Sequence, residues 1–291
     1  MGLVFFRDGS DAEYPILRRL KDRHMSDSKD KAAKVTVLSL AQKKRRGEKI
    51  VMLTAYDFPT ARLVDQSGAD IVLVGDSLGM EELGFDTTLP VTLDMMIHHT
   101  AAVRRGTTNA LVLADMPFGS CTAGADEAVR HAVRLMQQGG ANAVKIEGGA
   151  FLAETIRRIV QAGVPVMAHI GFTPQSVNIL GTRMQGKDEA GALQVMADAQ
   201  ALEGAGAFGM LLELIPPALA AQITQTLSVP TIGIGAGLEC DGQVLVTSDL
   251  LDIKGGGYTP FKHVRQYAHI GDDILRALSA YGSDVRDKKF P

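Results

Sequence analysis

The sequence predicts a (β/α)8 barrel, and two observations carry that expectation. From Lys49 onward, short and nearly continuous apolar runs alternate with amphipathic helical patterns about eight times over roughly 240 residues. Polar and charged residues then gather where those runs end, which is where a parallel barrel places its chemistry. Runs of four to six apolar residues suit parallel strands covered on both faces. A doubly wound sheet accounts for the alternation second best.

In chain order, 37–46 (VLSLAQKKRR) reads as a short helix closed by Gly47, with its basic end a solvated face. The strand candidates are 51–55 (VMLTA), 71–75 (IVLVG), 110–114 (ALVLA), 143–147 (AVKIE), 164–169 (VPVMAH), 209–213 (GMLLE), 231–235 (TIGIG) and 243–247 (QVLVT). Helical periodicity fills 58–67, 93–105, 125–138, 151–162, 188–203 and 216–227. In 125–138, Ala128, Val129, Ala132, Val133, Leu135 and Met136 form one apolar stripe. Gly68, Gly106, Gly139-Gly140, Gly163 and Gly204 read as C-terminal stops that relieve left-handed strain. One gap is irregular. Only about seven residues separate TIGIGAG from VLVTS, too few for a crossover helix. Either the seventh helix is absent or the last strand pairs differently.

Composition bounds the remaining choices. The 291 residues are 46% hydrophobic and 22% charged, enough apolar content to bury a core without staples. A formal net charge of −3 argues against nucleic-acid binding through bulk positive charge. Two cysteines, Cys121 and Cys240, with no CxxC, supply neither a disulfide framework nor a zinc site. No apolar run approaches the roughly 20 residues of a membrane helix, and no signal-peptide core is visible. The expectation is a cytoplasmic protein without nucleic-acid or membrane partners. Residues 1–35 are charge-rich and read as a poorly structured extension ahead of a single barrel domain over 36–291. Met25 offers an alternative start that would leave 1–24 as a leader.

The run ends are informative. After VMLTA come Tyr56 and Asp57, after IVLVG come Asp76 and Ser77, and after ALVLA comes Asp115. AVKIE carries Lys145 and Glu147, VPVMAH ends at His169, and GMLLE ends at Glu213. Turn chemistry explains any one aspartate after a strand. It does not explain Asp76, Asp115, Glu147 and Glu213 converging on one mouth with a lysine and a histidine. Clustered carboxylates raise one another's pKa unless a cation sits among them. An oxygen-only set suits a hard dication, with Mg2+ the natural choice. Asp76, Asp115 and Glu147 come from three successive strands and are the expected metal ligands. Lys145 shares a face with Glu147, because i and i+2 project together. Glu213, two strands away, is expected as a free carboxylate acting as base. His169 is expected as a second-shell or substrate-contacting group. His98 and His99 cannot share a helix face, and His131 is expected to face solvent. GIGAG lacks the spacing of a nucleotide loop, and no P-loop, HExxH or GxSxG occurs.

The segments MLTAYD (52–57), VGDSLGM (74–80), TLPVTLDMMIHHT (88–100), LADMPFGS (113–120), AVKIEGG (143–149), HIGFTPQS (169–176), LLEL (211–214), PTIGIGAG–CDGQVLV (230–246) and a closing Phe290-Pro291 resemble the ketopantoate hydroxymethyltransferase family. The resemblance spans nearly all of 49–291. It implies transfer of a one-carbon unit from 5,10-methylenetetrahydrofolate to 3-methyl-2-oxobutanoate. It also implies Mg2+ dependence, a barrel of the phosphoenolpyruvate mutase and isocitrate lyase group, and a homodecamer. By resemblance Asp76 and Asp115 hold the metal, with Glu147 completing the site directly or through water. Asp76, Ser77, Asp115 and Lys145 contact the ketoacid, and Glu213 accepts the C3 proton. The loop LGTRMQGK (180–187) and the pair Glu81-Glu82 depart from the family's pattern. Lyases of the same barrel group typically carry a Lys-Lys-Cys-Gly-His loop, which is missing here.

Overall fold

The computed structural model of the chain describes residues 34–255 and 261–290. Residues 1–33, with the leader expected at 1–24 and nearly all of the extension expected at 1–35, lie outside the described residues, as does Pro291.

Eight parallel strands close into a barrel in sequence order. They are β1 (Ile50–Thr54), β2 (Ile71–Val74), β3 (Leu111–Asp115), β4 (Ala143–Glu147), β5 (Val166–Gly171), β6 (Gly209–Glu213), β7 (Thr231–Ile234) and β8 (Gly242–Leu245). The barrel expectation holds and the doubly wound alternative falls. Around it lie α1 (Val37–Arg46), α2 (Phe58–Gln66), α3 (Leu78–Glu81), α4 (Leu93–Gly106), α5 (Ala125–Gln137), α6 (Ala153–Gln161), α7 (Val177–Leu180), α8 (Glu189–Gly204), α9 (Pro217–Thr226), α10 (Thr247–Leu251) and α11 (Ile270–Arg286). Period-two alternation divides the apolar residues. Ile50, Met52, Ile71, Leu73, Leu111, Leu113, Met167, Leu211 and Ile232 fill the interior. Val72, Val74, Val112, Val144, Val166 and Met210 face the helices.

Helix α1 seats on this interior cluster. Leu40 is 1% exposed and packs with it beside Val35 and Val37, and the Val35 amide donates to Asn109 O at 2.8 Å. Its basic end is only in part the solvated face expected, since Arg45 and Arg46 are exposed while the two lysines are half-buried and paired. Lys43 pairs with Asp70 at 2.6 Å and Lys44 with Asp241 at 2.8 Å. Partly exposed pairs contribute about 1 kcal/mol or less, whereas burying a leucine contributes about 1.5–3 kcal/mol. Leu40 therefore seats the helix and the lysines orient it.

The short gap resolves by losing a helix. β8 pairs in parallel with both β7 and β1, through Ile232↔Gly242 and Ile50↔Gly242. Gly235 and Gly237 take φ of 60° and 85° in the connection. Lys49 Nζ fastens it by donating to the carbonyls of Leu238 at 3.2 Å and Cys240 at 2.6 Å. Val51, on the outer face of β1, is 47% exposed. Two of the expected glycine stops differ in kind: α4 and α8 do end at Gly106 and Gly204, but neither takes the left-handed φ found at Gly68, Gly140 and Gly163. Gly106 is small because α4 meets α2 there, and a Cβ would lie 2.6 Å from Phe58 O.

Candidate active site

The alternation that fills the interior also builds the site. The inward face that carries Leu111 and Leu113 in β3, Ala143 in β4, Met167 in β5 and Leu211 in β6 brings up Asp115, Lys145, Glu147, His169 and Glu213 towards the strands' C-terminal ends. Register sets the neighbours: Asp115 lies beside Lys145, and Glu147 beside His169. Asp76 arrives by a turn just past β2. Its backbone N–H donates to Asp115 Oδ2 at 3.0 Å. That turn requires Gly75, where a Cβ would fall 2.7 Å from Ser77 Oγ.

Lys145 is the hub. Its Nζ lies 3.2 Å from Asp115 Oδ1, 3.2 Å from Glu147 Oε1 and 3.0 Å from His169 Nδ1. His169 then spans two acids, with Nδ1 3.3 Å from Glu147 Oε1 and Nε2 3.2 Å from Glu213 Oε2. Glu213 is thus not the free carboxylate expected, since it faces the imidazole. Its side chain is 18% exposed, against 2–4% for those of His169, Lys145, Asp115 and Glu147. Among these five it is the one most open to a ligand in the cavity. Leu214, immediately after it, holds a φ of 45°, a left-handed backbone that costs a non-glycine residue about 1–2 kcal/mol. The Leu214 amide donates to Ile234 O at 3.0 Å and the Glu213 carbonyl accepts from Phe172 N at 2.8 Å. The peptide before the strained torsion is held at its oxygen and its amide, and beyond it the Leu214 carbonyl accepts from Gln185 N at 2.9 Å.

Charge follows from these contacts. Burial first, then Glu147 and Asp115, raises the Asp76 carboxyl well above the ordinary aspartate range. Burial also raises Asp115, although Lys145 opposes it. Glu147 goes the other way, to about 2, because Lys145 and His169 outweigh its burial. Burial and Lys145 push His169 down, but Glu147 and Glu213 carry it above its usual value. Burial depresses Lys145 too, yet Asp115, Glu147 and Asp76 hold it firmly protonated.

Asp76, Asp115 and Glu147 each offer a carboxylate oxygen within 4.8 Å of the others, all buried. Three carboxylates against one lysine leave two negative charges, which a dication balances. Asp115 Oδ1 makes no hydrogen bond despite its contact with Lys145, so it keeps lone pairs to offer. Oxygen donors of this kind fit a hard cation. Because Asp76 and Asp115 retain protons above the ordinary carboxylate pKa of about 4, a cation must displace them. Its affinity is expected to climb with pH above that value and level off once both acids ionise. Calorimetric titration with Mg2+ in buffers of different ionisation enthalpy would register the released protons. Proton-free binding, flat with pH, would contradict the shifted acids.

Several sequence expectations change. Strand β5 runs to Gly171, so His169 sits inside it, not at its end; Pro165 lacks an amide donor and the strand starts after it. Asp57 does not join the cluster but caps α2, accepting from Thr60 N at 2.7 Å. Tyr56 does reach the site, its hydroxyl 2.9 Å from Ser77 Oγ. His131 is half-buried, not solvent-facing, with Nδ1 2.9 Å from Ser120 O. Glu81, where the pattern departs, bonds Ser248 Oγ and Lys254 Nζ, the latter at 2.8 Å.

Sequence reading missed Gln175. Its side-chain amide donates to Asp76 Oδ2 at 2.8 Å and Met116 O at 2.9 Å, while its backbone N–H donates to Glu147 Oε2 at 3.0 Å. One residue thereby orients two of the three acids without adding charge. The available signal was a lone amide in HIGFTPQS, four residues past the end of β5. Asp76, Ser77, Asp115, Lys145, Glu147, His169 and Glu213 line a cavity of about 250 Å³ that continues towards Phe172, Leu214, Phe261 and His263.

A sequence model described as ketopantoate hydroxymethyltransferase matches residues 34–291. A 3-methyl-2-oxobutanoate hydroxymethyltransferase from Chloroflexus aurantiacus is 52% identical over 260 residues, covering 89% of this chain and 91% of that protein. One from Geobacillus thermodenitrificans is 53% identical over 249 residues, covering 85% and 88%. Among solved structures, 2,3-dimethylmalate lyase, a member of the phosphoenolpyruvate mutase and isocitrate lyase superfamily, aligns with a TM-score of 0.57 at 17% identity, covering 87% and 88%. Phosphonopyruvate hydrolase in complex with oxalate and Mg2+ aligns with a TM-score of 0.58 at 14% identity, covering 87% of each chain. At those identities the two structures speak for the fold alone.

Proposed function

This chain belongs to the ketopantoate hydroxymethyltransferase family, and on that premise we propose how it converts 3-methyl-2-oxobutanoate to 2-dehydropantoate, a step of pantothenate biosynthesis. In this reading the one-carbon donor is 5,10-methylenetetrahydrofolate and the metal is Mg2+, held by Asp76 and Asp115, with Glu147 joining directly or through water. Both oxygens of Glu147 already meet protein donors, which favours the water-mediated role. When bound, the cation supplies Lewis acidity to the ketone and offsets enolate charge.

The chain's own residues do the rest. Ser77 and Lys145 bind the ketoacid carboxylate, and Lys145 offsets negative charge developing on the ketone oxygen. Glu213 takes the C3 proton, leaving the electron pair on the enolate. His169 stands beside the Glu213 carboxylate, its Nε2 3.2 Å from Oε2 with no hydrogen bond formed between them. The enolate carbon then bonds the methylene carbon of the carrier in its ring-opened iminium form, whose C=N electron pair passes to nitrogen, and water displaces that amine from the same carbon to leave the hydroxymethyl group and the free carrier. The observation that carries this reading is the pairing of Glu213, open to the cavity, with a buried Lys145 and three acids on the same barrel face.

No described helix is long and apolar enough to cross a membrane; the proposed setting is cytoplasmic. We read the protein as self-associating, a decamer by family resemblance. Helix α11 supports this, because none of its residues is buried and Ile274, Leu278, Tyr281 and Val285 recur along one face. Purified protein given Mg2+, 3-methyl-2-oxobutanoate and 5,10-methylenetetrahydrofolate is expected to release 2-dehydropantoate and to stop when chelator removes the metal. Absence of product with all three present would refute the assignment.

A further inference from the structure

The cavity has two chemistries. Its floor is acidic and buried, with a lysine and a histidine, and suits a small branched ketoacid. Its rim carries two aromatic rings, Phe261 and His263, apart from the floor groups proposed to bind the ketoacid. Phe261 and His263 are stacked, with ring centroids 5.8 Å apart and planes 10° from parallel, and both line the same cavity as Asp76, Lys145 and Glu213.

The stack is backed on one side. Gly235, at φ 60° beyond β7, has no side chain, and His263 Nδ1 and Cγ lie 3.3 and 3.4 Å from where its Cβ would begin. The imidazole thus rests on the β7 end. Phe261 is the outer ring and is 53% exposed. A backed aromatic ring opening onto a cavity suits a flat π-system on its free side, since offset stacking gains energy beyond burial alone.

We propose that Phe261, supported by His263 and Gly235, is the stacking platform for the bicyclic heterocycle of the one-carbon carrier, an inference that rests on the proposed folate-dependent reaction. The carrier's ring then lies at the rim while its methylene group points down to the acid floor. Aromatic stacking of this kind, removed by alanine, weakens binding of a flat base by roughly tenfold or more.

The test uses the full chain with Mg2+ and tetrahydrofolate as the probe. Calorimetry should give a dissociation constant for F261A roughly tenfold or more above wild type, while F261Y binds as wild type does. The dissociation constant for 3-methyl-2-oxobutanoate should stay the same in all three. Equal tetrahydrofolate affinity in F261A and wild type would overturn the platform alone. A parallel loss of ketoacid affinity in F261A would also overturn it, because the residue would then be shaping the whole site. Wild-type protein that binds no tetrahydrofolate and forms no product would overturn the folate reading, and the platform with it.

Discussion

Glu213→Gln is expected to bind 3-methyl-2-oxobutanoate as wild type does and to lose C3 hydrogen exchange by about 10²–10⁴-fold, the usual contribution of a positioned general base. The substitution keeps the side chain's size and removes its basicity. The geometry singles this carboxylate out. Glu147 is pulled down to about 2 by Lys145 and His169, too weak a base to take a carbon-bound proton. Asp76 and Asp115 face each other across the metal-competent triad. Glu213 stands apart at 18% side-chain exposure, its one ion-pair contact among the described residues being His169. Proton NMR of the ketoacid in deuterium oxide reads the exchange directly, without the one-carbon carrier. Exchange at the wild-type rate in this variant would place the base elsewhere.

Much of this site was legible because a parallel barrel obeys a simple parity. Lys145 and Glu147 lie two residues apart on one strand, so their common direction follows from the strand alone. Closure then aligns Asp115 with Lys145 and Glu147 with His169. The missing helix before β8 was likewise readable from a gap too short to hold one. What escaped depends on contacts between distant segments. Gln175 bonds Asp76 across 99 positions, and no local pattern marks it. The pairing of Glu213 with His169 arises from adjacent strands whose relative height is fixed by register, not by either strand's own sequence. Gly106 does end α4, but it serves the crossing with α2 and not a left-handed turn, and a C-terminal glycine and a glycine at a helix crossing have the same local context.

Lys145→Met is the second substitution with a large expected effect, and it separates folding from catalysis. Lys145 is 3% exposed and within 3.2 Å of two buried carboxylates. Removing one partner from such a pair typically costs about 3–5 kcal/mol, since the remaining charge stays buried without compensation. Metal-free K145M should therefore unfold at a clearly lower temperature than metal-free wild type. The pH trend has a definite sign. Lys145 is among the influences that lower Asp76 and Asp115, so without it both acids rise further above their unfolded values. A carboxyl whose folded pKa is raised holds more protons when folded, and its contribution to stability falls as pH rises through that folded value. The deficit of K145M should thus be smallest in mild acid and deepen towards neutrality. Adding Mg2+ should recover much of the stability, because a dication among Asp76, Asp115 and Glu147 replaces the missing positive charge. C3 exchange should stay at least about 10²-fold below wild type even then, as the cation cannot also replace the ammonium donor. Thermal melts with and without Mg2+ across pH, beside exchange rates for the refolded variant, decide the matter. A metal-free K145M as stable as wild type at neutral pH would mean that the three acids are not balanced by this lysine, and the charge logic of the site would have to be rebuilt.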